Sequence, residues 1–463
     1  MDVEGLAVHD EHESPWEYHG TEVRLRAMFA DKGSLQDAIK LWALSMQRPF
    51  RVLKSSQEQY TVGCEQAGCP WRVHARIPKY ETHWIVSKVE AHSCLLSSVL
   101  PRHRNLTSTF IANVMYGEIV KKTNLEPKQI MVAIEQKFKY KISYAKAWRA
   151  KQKALERRFG SFEASYDNLP RMLQVLQDRN PGTYIAVKDM PSKRPPLGFM
   201  VLQRAFLAFG PCIDAFRHML PVISVDGTFL TGKYKGMILT AIGVDGNNQI
   251  LPLAIAFVES ENFDSWLWFL RHLKEGVVGA RPDVCVIHDR HPGMMKAIRK
   301  LQQDPDEPFP WKDMRNRWCI RHLGANFFKQ FRQQQLMKLF KRLAMQNQQR
   351  KFDALWKMLD DHTRKHVVER NKRPLIPGAA QPERLTPLRE LDPPHLTRRT
   401  SRDIGCFSHW IEAEPLHKWS LLHDTDGARY GIMTTNLAEV YNWVIRGLRS
   451  LPLVAIEIGR AHV

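Results

Sequence analysis

Four residues early in the chain, Cys64, Cys69, His92 and Cys94, have the types and spacing of a closed metal-ligand set, C-x4-C-x22-H-x-C. Thiolate sulfur and imidazole nitrogen are the donors that a tetrahedral structural zinc ion prefers. The first pair falls where a strand gives way to a turn, and the second follows another strand after a hairpin-sized interval. One ion would therefore staple a sheet too thin to hold itself together, contributing on the order of 10 kcal/mol to the fold. The rest of the sequence fits reduced cysteines. Seven is an odd number for a disulfide framework. The N-terminus carries Asp2, Glu4, Asp10, Glu11, Glu13, Glu17 and Glu22 with no Lys or Arg before Arg24, the wrong charge for a secretory leader.

A second chemistry rests on acidic residues far apart in the chain. Asp226 ends the apolar run 222–226 and is followed by Gly227; Asp289 ends the run 284–289 and is followed by Arg290. Acidic residues are poor strand formers, so two of them at the ends of buried strands concentrate negative charge where a sheet opens to solvent. On neighbouring strands they would repel unless divalent cations bridged them. Either aspartate alone reads more readily as a cap of the turn or helix that follows. What adds weight is the ordered set of strand Asp, strand Asp and helix Glu, the last being Glu439 in the helical stretch around 436–440. Cys319 and His322 form a C-x2-H pair. Two ligands do not make a zinc site, and the pair reads as structural packing near the acidic residues in preference to metal binding. Cys285 and His288 have the same spacing but lie on a strand, facing opposite sides.

The elements that must position these residues are legible from periodicity. Residues 34–47 read as a helix capped by Ser34, with Ala38, Leu41, Trp42 and Leu44 on its apolar face. From Tyr60 to Val89 the texture is short strands: Trp71, Val73, Ala75 and Ile77 alternate with Arg72, His74 and Arg76. Residues 107–160 are helical and strongly basic, with twelve Lys or Arg against three Glu from Lys121 to Arg158, and Phe138, Tyr140, Tyr144 and Trp148 interleaved. Such a segment reads as a solvated helix face or as a DNA-binding surface in about equal measure. Pro191, Pro195 and Pro196 mark a linker, after which the chain is α/β. Strands 222–226, 237–244 and 250–258, the last two joined by an Asp245-Gly246-Asn247-Asn248 hairpin, precede a helix over 263–273, a strand over 284–289 and a helix over 293–301. Residues 325–368 are helical, 370–400 hold six prolines, and 435–449 form a last helix.

A chain of 463 residues suits two to four domains. Its 44% hydrophobic and 25% charged content is ordinary, but its net charge of +20 is not. That excess suits a polyanionic partner. No apolar run reaches the roughly 18 residues of a membrane span, so none is expected.

Several blocks, in order, resemble the Mutator-like element transposases of plants. Ser224-Val225-Asp226-Gly227-Thr228-Phe229-Leu230 resembles the family's first catalytic block, and the stretch from Gly236 to Ser260, Ser265-Trp266 and His288-Asp289-Arg290-His291-Pro292-Gly293 resemble the rest of that domain. Cys319 and His322 match its C-x2-H block, and Met433 to Glu439 its acidic helix. Cys64, Cys69, His92 and Cys94 match its WRKY/GCM-like zinc finger, and Ser143 to Arg149 an intervening basic block. The resemblance implies an α/β fold: an RNase H-like DDE catalytic core with a helical insertion, preceded by a small β-type zinc finger and a basic helical domain. The domains expected are an acidic disordered leader (1–22), the zinc-finger DNA-binding domain (23–100), a basic helical DNA-binding or linker region (101–195), the transposase core (196–330), a helical insertion with a proline-rich loop (331–430) and the acidic-helix end of the core (431–463).

The resemblance further implies that Asp226, Asp289 and Glu439 hold catalytic Mg2+ or Mn2+, while the finger holds structural Zn2+. The implied partners are double-stranded DNA, as element terminal inverted repeats and as target, and further copies of the chain in a synaptic complex. No membrane partner is expected, and the site of action is the nucleus, with Arg370-Asn371-Lys372-Arg373 a weak import signal. The family commonly continues into further helices and a SWIM-type zinc finger; with Val463 as the last residue, the expectation is a C-terminally truncated member. The other reading is a domesticated regulator similar to the far-red-impaired-response family, which shares the architecture but acts by binding promoters. The carboxylate set favours the transposase, and a generic RNase H-like nuclease would leave the finger unexplained.

Overall fold

The computed structural model describes residues 23–95, 101–192, 198, 200–372 and 404–453. The acidic leader, Pro195 and Pro196, nearly all of the proline-rich stretch and residues 454–463 lie outside them, as does Arg373 of the import signal. The chain divides into two compact units, Met1–Ser161 and Phe162–Val463. Among the described residues no helix is long and apolar enough to cross a membrane.

The first unit opens with β1 (Met28–Phe29) and α1 (Lys32–Ser45). The cap of α1 is Asp31, not Ser34: its carboxylate accepts a 2.8 Å bond from the Ser34 amide, which an ionised oxygen does more strongly than a hydroxyl. Then come β2 (Phe50–Ser55), β3 (Gln59–Cys64), β4 (Arg72–Arg76) and β5 (Trp84–Glu90). They form an antiparallel sheet in the order β1-β5-β4-β3-β2. In β4 the alternation is as read from the sequence, with Val73 and Ala75 fully buried and Arg72 and Arg76 exposed. One sheet face packs on α1 through Leu35, Ile39, Trp42, Val62, Val73 and Val86. Four helices follow: α2 (Ser108–Val114), α3 (Tyr116–Lys121), α4 (Pro127–Phe138) and α5 (Tyr144–Phe159). They are docked to the sheet by Asn105, whose side chain accepts from the Phe50 amide and donates to its carbonyl, each at 3.0 Å.

The second unit begins with α6 (Phe162–Arg179), β6 (Tyr184–Pro191), β7 (Met200–Ala208) and α7 (Gly210–Phe216). The sheet of this unit thus starts at Tyr184, ahead of residue 196, and Pro191 is the last residue of an edge strand instead of part of a linker. An edge strand tolerates proline because a missing N–H costs it no ladder bond on its open side. β8 (Val222–Phe229), β9 (Met237–Val244) and β10 (Ile250–Val258) form an antiparallel meander. α8 (Phe263–Leu273), β11 (Cys285–His288), α9 (Pro292–Gln303) and β12 (Arg315–Trp318) follow. The strand order is β12-β11-β8-β9-β10-β7-β6, with β11 parallel to both β8 and β12.

The strand holding Asp226 does not end there. It runs on to Phe229, because Gly227, Thr228 and Phe229 pair with Leu239, Ile238 and Met237 of β9. The two sheet faces are distinguished by residue parity. Ile223 and Val225 of β8 and Val284 and Val286 beside and within β11 enter the main core with α8 and α9. Val222, Cys285 and Ile287 face the other way, against Cys319, Ala428 and Leu437.

After β12 come α10 (Ile320–Phe331), α11 (Gln334–Ala344), α12 (Gln349–Lys372), α13 (Phe407–Ile411), α14 (Leu416–Trp419) and α15 (Asn436–Val444). Phe327, Phe340, Phe352, Phe407 and Trp419 make an aromatic core of their own for this helical part. The approach to α15 is fastened to β12 by a buried ion pair. Arg317 donates to Asp424 at 2.8 Å, both side chains being 3% exposed, and the other Asp424 oxygen accepts from the Arg429 amide at 2.8 Å. Burial brings the Arg429 guanidinium down to about 10. Replacing Asp424 by Ala would strand two buried cations, and we expect a loss of about 3–5 kcal/mol, read as a lower unfolding midpoint in urea. Asp424→Asn should recover part of it by keeping a hydrogen-bond acceptor.

Candidate active site and metal centre

β8 and β11 run parallel with Cys285 beside Val222 and Ile287 beside Ser224. Continued by two residues, that register brings Asp289 level with Asp226 on the adjacent strand, about 4.8 Å away across the ladder. Both aspartates share the parity of the residues that face Cys319 and Leu437, so they belong to the same face of the sheet. α15 lies on that face. Its buried stripe of Ala438, Tyr441, Asn442 and then Ile445 points inward, and Asn442 donates to the Asp226 carboxylate at 2.8 Å. Glu439 lies one turn before Asn442 on the same helix side.

Burial is the main reason that the Asp226 carboxyl is raised to about 6. The positive His322 and the Asn442 bond oppose the rise, and the negative charge of Glu439 adds to it. The Glu439 carboxylate itself is turned toward α10, where it meets Arg321 closely and His322 Nε2 at 3.4 Å. His322 is raised, most by Cys319, with Asp226 and Asp289 adding and burial opposing. Burial works against ionisation of Cys319, yet its bonds with His322 and Thr435 outweigh it and hold the thiol below its ordinary value. The Cys319 sulfur accepts from the Thr435 amide at 3.2 Å and its hydroxyl at 3.3 Å, which fixes the residue just before α15. Cys319 and His322 thus stand between the sheet and the acidic helix, one holding the start of α15 and the other touching Glu439.

A fourth carboxylate was missed in the sequence. Glu261 lies in the loop between β10 and α8, accepts from Trp266 Nε1 at 3.3 Å, and faces His291 Nδ1 at 3.9 Å. Burial first, then the charge of Asp289, push it up, against the pull of His291 and His322. A Cβ on Gly227, the neighbour of Asp226, would come within 3.9 Å of its Oε1. The loop after Asp289 is brought here by Gly293, where a Cβ would sit 2.8 Å from the Asn262 carbonyl carbon and the Phe263 amide. Asp289 in turn accepts from the His291 amide at 3.1 Å, closing the turn into α9. The only available sequence signal for Glu261 was its place directly before the Asn262 cap of α8, which loop residues share without chemistry.

The cysteine cluster is the only group of three or more His, Cys, Asp or Glu ligand atoms within 4.8 Å of one another among the described residues. Cys64 Sγ lies 3.8 Å from Cys94 Sγ, and His92 Nδ1 lies 3.3 Å from Cys69 Sγ and 3.5 Å from Cys94 Sγ. Bonds of about 2.3 Å to sulfur and 2.0–2.1 Å to nitrogen, at tetrahedral angles, require spacings of this size. The cluster could therefore hold a zinc ion, with His92 binding through Nδ1. Trp71 stacks on the imidazole at 4.7 Å, and Arg48 donates to the Cys94 sulfur at 3.2 Å, a positive charge beside three thiols. Burial raises Cys64 to about 11, whereas Cys69, with burial opposing, is brought to about 6 by the amides of Trp71, Ser93 and Cys94.

On the sheet face opposite α1, the pairing register sets Lys54, Thr61, His74 and Lys88 in one row across β2, β3, β4 and β5. His74 accepts from or donates to Thr61 Oγ1 at 2.7 Å. Burial lowers its pKa, and Arg76, Lys54, Arg72 and Lys88 lower it further, so five basic side chains converge there.

Comparison with known proteins agrees with this division of labour. No curated protein matches the chain. Residues 20–83, which include Cys64, Cys69 and the basic strand, match the MuDR family transposase model. Residues 222–326, which include Asp226, Glu261, Asp289, Cys319 and His322, match the MULE transposase domain. With a MuDR DNA-binding module ahead of a MULE domain on one polypeptide, the chain is a Mutator-like transposase.

Proposed function

We propose that the protein binds the terminal inverted repeats of its element and cleaves and joins DNA strands in a divalent-metal-dependent reaction on an RNase H-like DDE core. The observation that carries this is the levelling of Asp226 and Asp289 on adjacent parallel strands beneath the helix of Glu439. The strand order supports the fold reading: β8, β9 and β10 antiparallel, then β11 and β12 parallel on the far side of β8. Pairing two element ends calls for a homo-oligomer on this reading, and access to its substrate calls for the nucleus.

The site suits a divalent cation. Asp226 is buried among other carboxylates and pushed toward neutrality, a state that a nearby cation would relieve. Bound Mg2+ or Mn2+ would supply a Lewis acid for the phosphodiester and lower the pKa of an attacking water or 3′-hydroxyl. Asp226, Asp289 and Glu439 would hold the metal, with Glu261 at the rim as a further oxygen donor. Asn442 orients the Asp226 carboxylate, and Cys319 holds the approach of α15 through Thr435. In the first unit, Cys64, Cys69, His92 and Cys94 would hold zinc, and the row of Lys54, His74 and Lys88 with Arg72 and Arg76 would face DNA phosphates.

Asp226→Asn and Asp289→Asn should each reduce Mn2+-dependent cleavage of element ends by more than about 100-fold, beyond the effect of losing an outer hydrogen-bond partner, while duplex binding is retained. Cleavage equal to wild type would remove the catalytic assignment; a wild-type chain that binds ends and never cuts them would favour the regulator instead. Metal analysis should give about one zinc per chain. Cys69→Ser or chelation should unfold the finger and abolish specific binding, since such modules lose their folded state with their ion. Metal-free protein that still bound the terminal repeats would overturn the finger's role.

A further inference from the structure

Neither family match reaches the helices between the finger and the α/β unit. There the chain runs α4, a five-residue turn, α5. Pro127 opens α4, and Glu126 with Gln129 caps it reciprocally. Lys139, at φ 62°, ends it in the left-handed conformation. In the turn Tyr140 and Ile142 are buried, Tyr140 against His103 at 5.0 Å, which pins the connection to the bundle and leaves Lys139 and Lys141 outside. Ser143 then caps α5 by accepting from the Lys146 amide.

α5 is buried along Ala147, Ala150, Ala154 and Leu155, where small side chains let it lie close against α2, α3 and α4. The opposite side divides in two. Toward the C-terminal end the cations are tied to the bundle: Lys153 donates to Thr109 at 2.5 Å, and Arg157 lies 4.7 Å from the Tyr116 ring centre. In the first two turns Tyr144 is 52% exposed, Ala145 and Arg149 are exposed, and Trp148 is half-buried beside them. Lys146 sits at the same end, its charge disfavoured by burial and then by Arg149 and Arg102. Three cations held close enough to repel one another, next to two aromatic rings, form a surface whose natural complement is a polyanion with stacked bases.

We infer that α4 and α5 form a second, helix-turn-helix DNA-binding element in which Tyr144, Ala145, Trp148 and Arg149 enter the major groove of duplex DNA while Arg102 and Lys146 meet its phosphates. The groove, about 12 Å wide, admits a helix, and in this connectivity the first residues of the second helix are the ones that reach base edges. The inference rests on the transposase reading above, and adds to the finger a separate source of sequence preference.

The test uses the full chain, a labelled duplex of mixed sequence and a random-duplex library. Arg102→Ala/Lys146→Ala/Arg149→Ala should flatten the slope of log affinity against log salt by about 2–3, at about 0.9 per lost phosphate contact, with its thermal unfolding unchanged. Tyr144→Ala and Arg149→Ala should each lower affinity for the library-selected site by about 10-fold or more, Arg149→Lys recovering part of it. A folded triple variant with wild-type affinity and slope overturns the inference. So does unchanged DNA binding with altered self-association, which would give the face to a second copy of the chain. Wild-type protein that binds no duplex overturns the transposase reading and this inference with it.

Discussion

The register between β8 and β11 is the constraint on which the α/β unit depends. A one-residue slip would turn Asp289 to the other sheet face, into the aliphatic core with α8 and α9. There a carboxylate would have neither water nor a partner. In the observed register it lies level with Asp226, and two like charges face a shared crevice. The sheet holds this arrangement because the flanking positions are apolar on both faces: Val222, Ile223, Val225, Val286 and Ile287 are essentially inaccessible to solvent. The cost of gathering negative charge is carried by that burial, and by elements arriving from far away in sequence.

Those elements come from after β12. Thr435 is fixed by the Cys319 sulfur, Asp424 by Arg317, and Glu414 by Arg290, the residue following Asp289, whose guanidinium also lies 5.0 Å from the Trp318 ring centre. All three attachments are buried, and each joins a β11 or β12 terminus to the segment that leads into α15. The aromatic cluster of α10, α11, α12 and α13 thus supports the last helix of the site. The first unit solves its stability problem differently. Its sheet is short and covered on one face only by α1, so the four ligands around Trp71 occupy the edge that lacks a hydrophobic layer.

The strands with near-continuous apolar runs, β9 and β10, and the amphipathic α8 were legible to the residue, because periodicity and length agree there. The cysteine set was legible because sulfur and imidazole at such intervals have few other uses. β12, Arg-Asn-Arg-Trp, was not, since its polar residues find partners only in the folded state: Arg317 in Asp424, Asn316 in Gln302 and Lys418. β6 was concealed by its closing proline. Asp226 was misread as a strand end because a lone acidic residue in a strand usually marks one; pairing with Thr240 and the bond from Asn442 keep it inside. Glu261 has no sequence signature at all. Its environment is made by Trp266, His291 and Asp289, and only the fold brings those together.

How the acidic crevice is balanced decides what can enter it. Glu439 is met by Arg321 and His322, both from the first turn of α10, and Glu261 is met by His291. These are single charges on side chains that can rotate, and Arg321 is nearly half exposed. A divalent cation would place two charges at one point and accept several oxygens at once, which a guanidinium on one side cannot do. If the proposed metal binds, Arg321 loses its hold on Glu439 and turns outward, to where a DNA phosphate would approach. The same arginine would then compensate carboxylate in one state and phosphodiester in the other. Its planar, always-charged head suits both, whereas a lysine would offer only a point charge.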